Sequence, residues 1–351
     1  MIHASYKWRS EWGGSGGRPG LTRRLFLVST VAPALWAQKP EISSFDLSLL
    51  DQAATPNDLF FVREHFPTPS VTSAGWMLTV GGAVAEPLRI PFDDLAARPR
   101  KSLGVTLECA ANPVAGGLVS HAEWAGVSLA SVLQAARPGA KAGAVRLAGA
   151  DGFAREIPLA KATSPDSMLA LAMNGEKLPI SHGFPVRAII PGWYGTDSVK
   201  WLRSIDVLEG EPPAQEYERE VSSLLLGRRR AGAVTAMNVK STFSRPLDGA
   251  ILFGRRFTMR GAAWAGENRV RRVEVSVDGG ASWQTAPLDS EPKPYAWVCW
   301  SYEWKIGAPG SYDLLVTATD DRGREQPAAR PSDRVDEYEQ NHRQSIQVTV
   351  K

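Results

Sequence analysis

Two neighbouring stretches, MNGEKLPISHGFPVR (residues 173–187) and PGWYGTDSVKWL (residues 191–202), carry the reading that decides the fold. The apolar run Val186–Ile190 reads as a short strand. Around it stand a histidine, an arginine, a hydroxyl and a lysine: His182, Arg187, Ser198 and Lys200. Taken singly, each has an ordinary explanation. Lys200, for instance, reads equally well as a solvated surface lysine.

Two upstream stretches raise the same question. FVREHFPTP (residues 61–69) places Phe61, Arg63 and His65 at alternate positions. LGVTLECAANPVAGG (residues 103–117) ends an apolar run on Cys109 and continues into a loop of small residues. The chain has one other cysteine, Cys299, in the strand-like segment WVCWSYEW. By itself a free cysteine is most often a small buried hydrophobe.

Composition narrows the classes. The 351 residues are 43% hydrophobic and 22% charged, with a formal net charge of +3, as in an ordinary globular protein. So small a charge gives no footprint for nucleic acid. No apolar run reaches the roughly 20 residues needed to span a bilayer. The five histidines lack the paired spacing of a zinc site, and there is no CxxCH haem attachment motif.

The N-terminus reads as an address. TRRLFL (residues 22–27) sets Arg23 and Arg24 before an apolar segment ending in APA (32–34) and LWA (35–37). A polar n-region, paired arginines, a short apolar segment and small-residue cleavage sites describe a twin-arginine signal over residues 1–37. Such a signal implies export to the periplasm as a folded protein. An unpaired thiol in an exported protein favours a metal site over a disulfide.

The mature chain changes character along its length. Residues 38–212 mix short strands (Trp76–Val80, Leu103–Leu107, Val145–Leu147) with helices at Ser128–Ala136 and Asp93–Ala97. A charged connector, residues 213–232, follows the break at Glu209–Pro213. In residues 233–351, Val273, Val275 and Val277 alternate with polar residues. Asp278-Gly279-Gly280 then supplies a hairpin turn into Ser282–Thr285. Further strands at Ala296–Lys305, Tyr312–Thr319 and Gln344–Val350 complete an immunoglobulin-like β-sandwich. The fold class expected is α+β, a mixed α/β domain followed by that sandwich, with the chemistry in the first part.

The order and spacing of FxRxH, the Cys109 loop, HGFPVR and PGWYGxxSVKWL closely resemble the sulfite oxidase family of molybdenum enzymes. The resemblance runs from about Pro56 to Val207. It resumes at GAAWAGENRVRRVEVSVDGGASW (residues 261–283), which is similar to that family's dimerisation domain. It implies a molybdopterin-binding domain, with Cys109 as the thiolate ligand of molybdenum beside the pterin sulfurs. A soft anionic sulfur on a fixed turn suits that metal. Phe61, Arg63, His65, His182, Arg187, Ser198 and Lys200 fall at cofactor-binding positions. The last group suits an anionic pterin phosphate: fixed cations, a hydroxyl and backbone N–H groups. Arg63 has a second implied role, facing the substrate oxyanion, and Tyr217 falls near an active-site tyrosine. The implied reaction is two-electron oxygen-atom transfer, with sulfite as the default substrate. Electrons would leave to a separate periplasmic carrier, since the chain has no haem segment. A homodimer through the C-terminal domain is implied too.

Some positions depart from the family pattern. CAANPV replaces the CxGNRR loop, so Pro113 and Val114 stand where two arginines are usual. Glu64 replaces an asparagine; a carboxylate there would oppose a dianion unless Arg63 pairs with it. Arg334 is the candidate for a substrate-side arginine from the second domain. These changes leave open a second reading, a molybdenum-dependent reductase of a sulfoxide or other S- or N-oxide. A cofactor-free scaffold is disfavoured by the presence of Cys109, Arg187 and Lys200 together.

Overall fold

The computed structural model describes residues 40–50, 53–212, 234–332, 334 and 336–351. The signal segment, the connector and Tyr217 lie outside the described residues. Strands predominate; both expected helices form, as Phe92–Ala96 and Leu129–Ala136, beside a third short one, Leu159–Ala162. The longest, Leu129–Ala136, shows why helices stay short here. Ser128 caps it by accepting from the Ser131 N–H, Leu129, Val132, Leu133 and Ala136 face the core at helical spacing, and Arg137 ends it in a left-handed conformation. Truncating buried Leu133 to alanine would cost about 2–5 kcal/mol.

Residues up to Glu209 build two five-stranded sheets. One carries the strands Glu176–Lys177, Met168–Met173, Val119–Ser128 and Arg100–Glu108 in that order, with Arg187–Ile189 also on Met168–Met173. The other runs Leu88–Pro91, Met77–Gly82, Leu202–Glu209, Ala142–Gly149, Ala154–Pro158. Their apolar faces meet in a core that includes Leu78, Leu147, Leu169, Ala188 and Ile205. Leu202–Glu209 pairs parallel to Met77–Gly82 but antiparallel to Ala142–Gly149, which locks the segment after the PGWYG loop into the sheet.

The second half has a three-stranded sheet, Lys240–Arg245, Arg256–Trp264 and Val298–Lys305, and a five-stranded sheet. The latter runs Ile251–Leu252, Gln344–Val350, Gly310–Asp320, Val270–Ser276, Gln284–Ala286. Residues of both sheets, among them Met259, Val273, Trp300, Val316 and Val348, share one core. The Asp278 turn is built as expected: Ser276 and Asp278 side chains tie it, and Gln284–Ala286 returns against Val273–Val275.

The two halves interlock around the loops that matter. The Thr106 N–H donates to the Tyr295 carbonyl, and the Trp297 N–H to Thr106 Oγ1. Lys161 and Trp193 both bond the Glu267 carboxylate, which clamps the PGWYG loop to the second half. The Glu339 N–H donates to the Ala110 carbonyl at 2.8 Å, so the segment around Tyr338 sits on the Cys109 turn.

Candidate active site

One cleft gathers all eight of the expected site residues that are described: Phe61, Arg63, His65, Cys109, His182, Arg187, Ser198 and Lys200. It encloses about 1020 Å³ of empty space, counting its open mouth.

Local structure explains the convergence. The FVREH segment enters beside the strand Ile42–Ser43, and from Val62 its side chains alternate buried and exposed, as in a strand. Arg63 and His65 therefore share the exposed side, while Glu64 is buried. His65 stacks on Phe153, with ring centroids 4.6 Å apart. Desolvation and the nearby Arg63, Arg155 and Lys200 push its pKa down, so the ring is neutral near pH 7. Phe61 is buried, stacked on Phe60, with its backbone N–H on Ser120 Oγ.

The HGFPVR and PGWYGTDSVKWL stretches close the opposite wall. Gly183 lies at φ +105°, and a Cβ there would come within 3.0 Å of the Lys200 Cα. Only glycine lets these two stretches approach so closely. His182 is buried; desolvation, Arg187 and Lys200 hold its pKa at about 4. Its neutral ring donates Nε2–H to the Asn57 carbonyl, which fixes the tautomer. Asp197, beside Ser198, is held by the Arg155 guanidinium at 2.8–2.9 Å. Ser198 uses its Oγ to accept the Ile190 N–H.

Arg187 is the most telling residue. It is buried, and its contacts are two backbone carbonyls, Ser198 O at 3.2 Å and His182 O at 3.4 Å, with Trp124 under the guanidinium. Among the described residues no carboxylate lies within ion-pair distance of it. Burial lowers its pKa. A buried, unneutralised cation on a cleft wall is costly unless an anion occupies the cleft. Lys200 differs. Its Nζ bonds Glu64 Oε1 at 3.1 Å and the Ser181 carbonyl at 2.9 Å, and burial first, then Arg187, lowers its pKa to about 8. Glu64 is completed by Thr68 Oγ1 and the Glu41 N–H. The Glu64 carboxylate thus pairs with Lys200 rather than with Arg63.

Cys109 follows the strand Arg100–Glu108 and lines the cleft half-buried. Its N–H donates to the Leu118 carbonyl, and its own carbonyl accepts from the Asn112 N–H, closing a turn. Burial pushes the thiol pKa up, and Glu108 adds to this; the Ala111 N–H, Arg63 and Lys240 pull it back. Such a thiol is a poor free nucleophile and becomes a good ligand only when a metal takes its proton's place. Pro113 and Val114 do not line the cleft. Arg334 is turned to Asp336 and Glu339 and does not line it either; Tyr338, four residues on, does. Asp151, Phe153 and Tyr338 are lining residues that the motifs did not single out, and Glu64, noted as a departure from the family pattern, lines the cleft with them. Cys299 is half-buried beside the cluster of Trp264 and Trp297, away from the cleft lining.

One thiol lines the cleft, with cations and tight backbone turns on the facing wall, a set that could hold a pterin-bound metal centre. Residues 65–216 match the oxidoreductase molybdopterin binding domain, and residues 231–348 match the Mo-co oxidoreductase dimerisation domain. The fold and site define a molybdenum-cofactor-dependent oxidoreductase.

The chain belongs to the sulfite oxidase family. It is 33% identical to sulfite oxidase of Gallus gallus over 83% of this chain and 72% of that protein. It is 34% identical to the mitochondrial sulfite oxidase of Homo sapiens over 80% of this chain and 58% of that one. An NADH nitrate reductase of Lotus japonicus is 31% identical over 78% of this chain, which spans 36% of that enzyme. Among solved structures, the sulfane dehydrogenase SoxCD from Paracoccus pantotrophus superposes with a TM-score of 0.79 at 27% identity, covering 89% of this chain and 86% of that one.

Proposed function

We propose that this chain is a periplasmic oxidoreductase that moves an oxygen atom to a small sulfur oxyanion, sulfite by default. It would be exported folded by its twin-arginine signal, and it would pass electrons to a separate carrier. The observation that carries the reading is the meeting in one cleft of Cys109, Arg63 and Arg187, which has no carboxylate partner among the described residues. We read Cys109 as the protein's ligand to molybdenum, and Arg187, Ser198, Lys200 and His182 as the seat of the pterin and its phosphate. When bound, the cofactor supplies two-electron oxygen-atom transfer. The protein supplies charge and orientation. Arg63, exposed on the cleft wall, attracts the oxyanion and holds it near the Cys109 turn. Neutral His65, stacked on Phe153, is a hydrogen-bonding group rather than a second cation. Tyr217, outside the described residues, stays a candidate for the same pocket. The C-terminal half is read as an immunoglobulin-like sandwich that forms a homodimer.

One observation favours a second reading, a less charged S- or N-oxide substrate that is reduced. Lys200 is neutralised by Glu64, and Val114 brings no charge to the cleft lining. Arg63 then faces the substrate with little help. The test is a steady-state assay of the molybdenum-loaded protein. Sulfite-dependent reduction of an artificial acceptor, exceeding reduction of a sulfoxide by an artificial donor, supports the first reading; the reverse ranking supports the second. Loss of both in a fully loaded protein contradicts both.

A further inference from the structure

Beneath the Cys109 turn lies a buried charge pair that the reaction itself does not use. Glu108, the residue before Cys109, is 3% exposed, and Lys240, from the second half, is 2% exposed. Lys240 Nζ donates to Glu108 Oε1 at 2.9 Å and to the carbonyls of Asn112 and Pro113, each at 3.1 Å. All three ammonium protons are thereby used. Glu108 Oε1 also accepts from Asn112 Nδ2 at 3.0 Å, and Oε2 accepts from Trp264 Nε1 at 2.8 Å. Asn112 Oδ1 in turn accepts the Leu118 N–H, and a Cβ on Gly116 would fall 2.4 Å from that same oxygen.

The register of the second half explains how two donors reach one carboxylate. Lys240 and Trp264 are direct partners on the antiparallel strands Lys240–Arg245 and Arg256–Trp264. Their side chains project together from the end of the sheet. The Cys109 turn is therefore gripped at Glu108, Asn112 and Pro113 by one lysine, and at Ala110 by the Glu339 N–H. A buried ion pair adds little net stability over apolar packing. What it supplies here is a fixed position for the loop.

We propose that Lys240 and Glu108 are positioning residues, through which the second half of the chain sets the placement of the Cys109 sulfur at the metal. The proposal rests on Cys109 being the ligand. Being a matched pair, they add no net charge beside the sulfur. Neither touches the cleft, so they act only through the loop.

The test uses the molybdenum-loaded enzyme, with kcat and KM expressed per bound molybdenum and the Mo(V) electron paramagnetic resonance signal as an independent readout. Lys240→Met removes three bonds to the loop; kcat should fall about tenfold or more with KM changed less than about threefold, since looseness of an ångström is costly at a reacting centre. The Mo(V) signal should shift or broaden. Glu108→Gln keeps one acceptor for Lys240 but sets an amide N–H against a present donor and leaves the lysine charge unmatched, so its kcat should fall less than in Lys240→Met while its Mo(V) signal still shifts. If Lys240→Met does not accumulate, Glu108→Gln/Lys240→Met removes the stranded charge as well, and its signal should be altered too. A parent-like signal and parent-like kcat per molybdenum in Lys240→Met, or in the double variant, would overturn the proposal whatever happens to the melting temperature. Failure of the ligand assignment would show separately, as an unchanged Mo(V) signal in Cys109→Ser.

Discussion

Two lysines, each paired with a glutamate of a site loop, are put to different uses. Lys200 lines the cleft, spends two donors on Glu64 and Ser181, and is held at about pKa 8 by burial and by Arg187. Lys240 lies behind the cleft wall and spends all three donors on Glu108, Asn112 and Pro113. The first retains a proton to donate and has the Arg187 cation nearby, so an anion in the cleft would gain at both. The second has nothing left for a ligand. Similar ion pairs at 2.9–3.1 Å thus mark, in one case, a binding wall and, in the other, a support. Bond distances alone do not separate them; the count of unused donors does.

The largest expected effect falls on the loop that the support holds. Cys109→Ser should lower turnover by about three orders of magnitude or more, because a hydroxyl is a poor ligand for a soft site. Its melting temperature should stay within a few degrees of the parent, as the turn is held by backbone bonds and by Lys240 rather than by the thiol. Turnover and a thermal melt on the same preparation check both parts.

Next comes the binding wall. Lys200→Met should weaken cofactor retention about 10–100-fold, and it also strands the buried Glu64 carboxylate. Adding Glu64→Gln should restore stability without restoring retention, which molybdenum content after dialysis would reveal. Recovery of both would make Lys200 a structural lysine like Lys240 and break the comparison.

A pH experiment sharpens it further. The Lys200 ammonium is charged below its pKa of about 8 and neutral above it, so its attraction for an anion is present at low pH and lost as pH rises through about 8. The Arg187 guanidinium stays charged across this range, so the change belongs to Lys200. Inorganic phosphate should therefore raise the melting temperature of cofactor-free protein near pH 7 and do so less near about pH 9.5. An effect that is flat across this range would show that the anion does not meet Lys200.

Smaller effects belong to residues off the cleft lining. Val114→Arg should change the KM for sulfite by less than about threefold, since its Cα starts outside the lining and a long side chain must find its way in. Cys299→Ala, distant from the lining, should leave turnover within about twofold. Steady-state kinetics with sulfite measure both; a large fall in KM for Val114→Arg would show that its loop does face the substrate.

Much of the site was legible because its signals are local. HGFPVR and PGWYGTDSVKWL lie close along the chain, and the alternation in FVREH sets Arg63 and His65 on one side without knowledge of the partner. The Ser128–Ala136 helix and the Asp278 turn carry their caps and turn residues within a few positions. The remainder depends on long-range pairing. Glu64 meets Lys200 across 136 positions, and Glu108 meets Lys240 across 132. No spacing rule shows which lysine a buried glutamate will find. Tyr338 reaches the cleft, and Arg334 does not, because Asp336 and Glu339 hold the arginine back in a segment without regular structure.

The proposed site stands on one protein sulfur, that of Cys109, binding molybdenum in this cleft. X-ray absorption at the molybdenum edge of the loaded protein is to be compared with that of loaded Cys109→Ser. The variant should show one sulfur neighbour fewer, with a lighter oxygen or nitrogen scatterer in its place. An unchanged sulfur shell in Cys109→Ser would rule Cys109 out as the ligand.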